Sequence, residues 1–261
     1  MVKYSAALAC ALAALILAST AHAQQSVRGW VDVNVIAGQS NQGERLYSTA
    51  GRSTLGGAIA VGQDFPEIRR GSGFDVEGGY MFGPRVGFGV RWAHARYHYA
   101  IGVGLGAEHP ITGAIAMDGA ESDEFRRLES AIDLMAAYTV PLANPDIRLR
   151  VFGGPTHFVV EQAMIRNVNF THTLNFSGTV NQIAITNISE QEVNGNAWGY
   201  NAGADVAYFF ARHVGVGAGL RFNRGTVGGV EIPLPNPVGG DEEAEFTAGH
   251  LGVAAGVRFR F

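Results

Sequence analysis

Two histidines, His94 and His98, stand four residues apart, a spacing that on a helix turns two imidazoles toward one metal ion. On a strand the same step covers roughly 13 Å at about 3.3 Å per residue, which is too far for one ion. The glycine runs Gly102-Val103-Gly104-Leu105-Gly106 and Gly215-Val216-Gly217-Ala218-Gly219 have the look of phosphate loops. Such a loop needs a strand-to-helix turn and, in its common form, a following lysine, and the only lysine here is Lys3. The second run alternates inside a strand, and its glycines are expected instead to make room for arginines. Glu129 and Asp133 form a carboxylate pair that ion pairing accounts for. Asn169-Phe170-Thr171 and Asn187-Ile188-Ser189 fit a glycosylation pattern by coincidence.

The charges that remain keep to one face of alternating segments. Asp32, Asp75, Glu77, Glu129, Asp133 and Asp205 share a face with Arg28, Arg91, Arg127, Arg148, Arg150, Arg221, Arg258 and Arg260. The opposite face is apolar: Val31, Val33 and Val35; Phe74, Val76, Tyr80 and Phe82; Val86, Phe88, Val90 and Trp92. Leu128, Ile132, Leu134 and Tyr138 continue it, then Leu149 and Val151, Trp198, Tyr200, Val206 and Tyr208, and Val214, Val216, Leu220 and Phe222. A period of two marks strands, half greasy and half polar. Eight are expected, at Val27–Gln39, Gly73–Phe82, Arg85–Tyr99, Phe125–Val140, from Ile147, Ala197–Phe210, Val214–Asn223 and Gly249–Phe261. Weak alternation from 158 to 188 predicts a hairpin above the strands, with Ser177-Gly178 near its tip.

Three connections are short: Gly83-Pro84, Pro141 to Asp146, and Ala211-Arg212-His213. Four are long: Ser40 to Gly71, Ala100 to Glu124, the segment past Phe158, and Arg224 to Phe246. Both chain ends lie on the short-turn side. Membrane barrels have this asymmetry of short and long connections, with strands of about ten residues. Slipping the last strand by one residue would turn Arg258 and Arg260 into lipid, at about 2–4 kcal/mol each near the midplane. That penalty fixes the register.

At 261 residues, 47% apolar and 16% charged, the chain is ordered and long enough for one domain. A formal charge of −4 without any basic run excludes a nucleic-acid footprint. The first segment reads as a secretory signal over 1–23. Lys3 gives the positive start, Ala6 to Ala18 the apolar run, and Ala21-His22-Ala23 the small-x-small site, so the mature chain starts at Gln24. Cys10, the single cysteine, leaves with it, so 24–261 has no disulfide, thiol nucleophile or cysteine metal site.

The last residues, GHLGVAAGVRFRF, carry Val257, Phe259 and Phe261 on the apolar face. A terminal Phe there is similar to the closing strand of bacterial outer-membrane barrels. The whole pattern from Val27 to Phe261 resembles the small eight-stranded group of opacity-protein and outer-membrane-protein-A-like barrels. The resemblance implies an all-β, antiparallel, up-and-down transmembrane β-barrel in the outer membrane of a Gram-negative bacterium, with both termini periplasmic. It also implies that Val257, Phe259 and Phe261 are read by the barrel-assembly machinery, and that outer-membrane lipid and lipopolysaccharide surround the barrel. No periplasmic peptidoglycan-binding domain is expected after the last strand.

An eight-stranded barrel has an interior that side chains can fill. The expectation is a lumen of ion pairs among Asp32, Asp75, Glu77, Arg91, Glu129, Asp133, Arg148, Arg150, Asp205, Arg221 and Arg258. The role is then structural or interactive, carried by four extracellular loops of a monomer with no catalysis, metal or cofactor and an unidentified surface ligand. A small-solute porin and a lipid-modifying enzyme are the alternatives. The lipid A deacylases, similar only in architecture, carry His-x-Ser on one strand face, and no histidine after Gln24 here is followed by Ser two residues on. The second and fourth long connections are acidic (Glu108, Asp118, Glu121, Asp123, Glu124; Glu231, Asp241, Glu242, Glu243, Glu245), which reads as solvated surface.

Overall fold

The structure, a computed structural model, describes residues 28–40, 45–52, 58–65, 71–108, 115–174, 180–233 and 241–261. The expected leader and cleavage site (Ala21, Ala23, Gln24) and the Ser177-Gly178 tip lie outside the described residues.

In chain order the strands are β1 (Gly29–Ser40), β2 (Arg45–Arg52), β3 (Ala58–Phe65), β4 (Gly71–Met81) and β5 (Val86–Glu108). Then come β6 (Ile115–Val140), β7 (Ile147–Leu174), β8 (Val180–Tyr208), β9 (Val214–Pro233), β10 (Asp241–Ala248) and β11 (His250–Arg260). Eight of them form a ring of antiparallel neighbours, β1-β4-β5-β6-β7-β8-β9-β11. It closes where β11 pairs back onto β1, with Trp30 opposite Arg260 and Val35 opposite Ala255. Closure leaves these strands no unpaired edge, the requirement for strands in lipid. This is the eight-stranded up-and-down barrel that the alternation predicts.

The apolar positions face outward. Val35, Phe88, Val90, Leu134, Val151, Leu220 and Val253 are exposed on the wall, while Asp32, Arg91, Arg150 and Arg258 one step away are buried. The short turns are tied locally. Asn144 accepts the amide of Asp146 on its side chain at 2.9 Å, and the Ala211 amide donates to the Val214 carbonyl at 3.1 Å.

The long connections differ from expectation. β5 and β6 extend through most of 100–124, paired from Ile101 opposite Ser122 to Glu108 opposite Ile115. The glycines mislead here. Gly104 and Gly106 point into open space, while Ile101, Val103 and Leu105 between them are buried. Removing those three from water favours strand over loop. β7 and β8 continue upward as the expected hairpin, held with three register shifts. Tyr97, Ile101, Phe125, Ile165 and Val193 of the two projecting hairpins meet in one apolar cluster above the charged lumen. β2 and β3 form a further hairpin on the upper part of β5, with Ile59 opposite Ala107. The acidic stretch also carries a strand, β10, which pairs with the end of β9. Gly249 joins β10 to β11 at φ +102°, a conformation open to glycine and strained for other residues.

Candidate functional site

The lumen is the site. Strand alternation puts one charged residue from almost every ring strand at a similar height, and the strands then bring sequence-distant groups into contact. Arg150 on β7 donates to Asp32 on β1 at 2.8 Å and pairs with Glu77 on β4. Glu77 also accepts the indole N–H of Trp30 at 3.0 Å. Arg91 on β5 holds Asp133 on β6 at 2.5 Å, and the other oxygen of Asp133 accepts Thr156 Oγ1 at 2.5 Å. Arg258 on β11 grips Asp205 on β8 and donates to Asn34 Oδ1 at 2.5 Å, while Asn34 donates to Asp75 at 2.5 Å.

Arg221 sits among three carboxylates at longer range: Asp205 at 3.5 Å, Asp75 at 3.7 Å and Glu77 at 3.7 Å. Its guanidinium lies 4.8 Å from the centre of the Phe152 ring, which Arg91 also faces at 5.4 Å. A ring face attracts such cations, so Phe152 keeps arginines apart without leaving them unaccompanied. Arg148 is nearer the short-turn end, 16% exposed, 3.8 Å from Asp32 and stacked on Phe209.

A second pair closes the lumen toward the hairpins. Arg127 Nε donates to Glu129 at 2.7 Å, and its outer nitrogen donates to the Thr247 carbonyl at 2.6 Å. The other oxygen of Glu129 accepts the Gly249 amide at 3.0 Å. This pair therefore fastens β6 to the β10–β11 joint. Above it Tyr99 donates its hydroxyl to the Ala163 carbonyl at 2.8 Å.

All eleven residues expected in the network point into the lumen. Two expectations need correction. Glu129 pairs with Arg127, a near neighbour on its own strand, rather than with the central arginines. Arg28 is exposed at the short-turn end, and Arg260, beside it, lies over Phe209 and donates to the Arg212 carbonyl. Asn34 and Asn201 lie on the inward face with Asp32 and Asp205, as alternation places them. Trp30, Phe152 and Thr156 join the network without carrying a charge, and their parity with Asp32 and Arg150 is the signal for them in the sequence.

Val257 and Phe259 face outward, and Phe261 closes the seam, its carbonyl accepting the Arg28 amide at 2.8 Å and the Gly29 amide at 2.7 Å. His94 and His98 lie on the outer face of β5, where His94 Nδ1 meets Ser130 Oγ at 3.0 Å. Among the described residues no group of three His, Cys, Asp or Glu is arranged to hold a metal.

The six buried carboxylates (Asp32, Asp75, Glu77, Glu129, Asp133, Asp205) face six guanidiniums (Arg91, Arg127, Arg148, Arg150, Arg221, Arg258). By formal charge the two sets balance.

Comparison with curated proteins finds no match. Among solved structures, OprG of Pseudomonas aeruginosa superposes with a TM-score of 0.52 at 9% identity, covering 91% of this chain and 97% of that one. Neisserial surface protein A gives 0.43 at 14% identity (91% and 100% covered), and Ail of Yersinia pestis 0.38 at 9% (90% and 100%). The model of the outer membrane protein beta-barrel domain matches residues 9–259. The chain belongs to that family and is an outer-membrane β-barrel protein.

Proposed function

We propose that this protein is a closed, non-conducting scaffold that holds rigid hairpins above the outer-membrane surface. The leader 1–23 is removed after Ala23, the short turns and both termini face the periplasm, and the projecting hairpins face outward. The assembly machinery reads Val257, Phe259 and Phe261 during insertion, and the barrel then stands as a monomer among phospholipid and lipopolysaccharide. It performs no catalysis and carries its role through surface contacts. The observation behind the reading is the balanced, buried set of ion pairs across the lumen, from Arg150–Asp32 to Arg258–Asp205. Charges matched in this way oppose a selective water-filled path.

The hairpins suit contact with another surface, since their own apolar cluster stiffens them while Ile115 and Met117 stay exposed on β6. The test is conductance in a planar bilayer. Purified protein is expected to show no steady current, and a steady, ion-selective current would replace the scaffold with a pore.

A further inference from the structure

A groove of about 510 Å3 opens on the outer wall across β1, β4 and β5, beside the last residue. Val31, Val76, Tyr80, Phe88 and Phe261 line it, and Gly78 lies at its floor. The volume falls within the roughly 300–1,000 Å3 of sites that take a discrete ligand. Its lining is almost wholly apolar, so the group it accepts is a hydrocarbon.

The groove follows from one missing side chain. Gly78 stands opposite Val31 on one side and Val90 on the other, at an outward position of β4. A Cβ there would meet the Trp30 carbonyl oxygen at 3.6 Å and Val31 Cγ2 at 3.8 Å, which is ordinary contact. Barrel packing therefore tolerates a side chain at 78. Its neighbour Gly79 differs, because a Cβ there would run into the Trp30 indole. Gly78 leaves the wall open where the barrel itself does not require it.

At the short-turn end the groove reaches Tyr80, whose hydroxyl accepts a hydrogen bond from Arg28 Nη1 at 3.4 Å, both residues exposed. Arg85 is exposed in the adjacent turn. An apolar cleft with the Arg28 guanidinium at its end complements a molecule with an acyl tail and an anionic head. On a wall surrounded by acyl chains, that molecule is a lipid.

We propose that this groove holds one glycerophospholipid of the inner leaflet, with an acyl chain over Gly78 and the phosphate against Arg28. The inference rests on the orientation proposed above, which places the short turns at that leaflet.

The test is native mass spectrometry of protein taken from outer membranes in a mild detergent, with folding followed by the gel shift on boiling. Wild type is expected to retain one phospholipid. Gly78→Leu fills the groove and should lower retention by about tenfold, since the chain loses its apolar seat. Ala255→Leu, equal bulk on the lipid-facing side of β11, should leave retention unchanged. Arg28→Glu repels the phosphate without filling the groove, and it decides the matter if Gly78→Leu does not fold.

Wild type without a phospholipid, retention in both Gly78→Leu and Arg28→Glu unchanged from wild type, or lipopolysaccharide in its place overturns the proposal. Orientation is read separately, by labelling Arg166→Cys on the exposed part of β7 from outside intact cells. Labelled cells with no retained lipid sink the groove alone. Unlabelled cells sink the orientation and the inner-leaflet assignment together.

Discussion

The guanidinium of Arg258 holds the carboxylate of Asp205 by two hydrogen bonds, Nη2 to Oδ2 at 2.6 Å and Nε to Oδ1 at 3.2 Å. The two residues sit on β11 and β8, with β9 between them, and the contact depends on what β9 lacks. A Cβ on Gly217 would come within 2.8 Å of Arg258 Nε, and one on Gly219 within 2.7 Å of Arg221 Nη1. The alternating glycines of β9 are the space in which the arginines lie.

Asp205→Asn would leave Arg258 and Arg221 buried beside a neutral amide. Breaking a buried pair from one side costs about 3–5 kcal/mol, because the remaining charge is uncompensated. The expected result is an unfolding midpoint in urea well below wild type. Replacing both partners, Asp205→Leu with Arg258→Met, should recover most of the loss. A single variant as stable as wild type would show that the pair is not what holds these strands.

Arg150→Ala should destabilise the barrel more than Arg148→Ala. Arg150 is fully buried between Asp32 and Glu77, whereas Arg148 lies 3.8 Å from Asp32 with solvent beside it. An exposed or loosened pair contributes roughly 0–1 kcal/mol, and a buried one far more when broken. Arg150→Lys should be intermediate, since an ammonium cannot span two carboxylates as the planar fork does. Equal midpoints for Arg148→Ala and Arg150→Ala would contradict this ordering.

Gly249→Ala should cost about 1–3 kcal/mol, the usual range for a side chain forced into a sparsely populated backbone region. The added Cβ would also press on the Asn223 backbone and disturb the amide that Glu129 accepts. Gly104→Ala serves as the control, because its Cβ would enter open space. The pair of thermal midpoints decides it, with only the Gly249 variant expected to fall.

Removing Phe261 should reduce the folded protein recovered from outer membranes more than Phe222→Ala does. Phe222 packs against Tyr200 on the wall, while Phe261 both covers Gly29 and makes the backbone bonds that end the seam. The comparison is made on membrane fractions by the gel shift on boiling. Matching yields would reduce Phe261 to ordinary packing.

Alternation was legible without a fold. Asp75 and Glu77, or Arg148 and Arg150, had to share a face because a strand repeats every two residues, and lipid rejects that face. The eight-strand ring, its short turns and its inward charges follow from this one-dimensional rule. Partner choice does not. Arg150 meets Asp32 118 positions earlier, and Arg258 meets Asn34 224 positions earlier, through a closure that only the ring creates.

The projecting β5–β6 hairpin was hidden for a different reason. Glycines at 102, 104 and 106 look like loop when read alone, and only the packing of Ile101, Val103 and Leu105 against Phe125 and its neighbours makes them strand. Tertiary burial overrides local preference in strands more readily than in helices, because a strand is stabilised by its neighbours. The period of two is enough to tell which face is greasy. Ring closure and packing set which charge meets which, and where the apolar interior continues beyond the charged lumen.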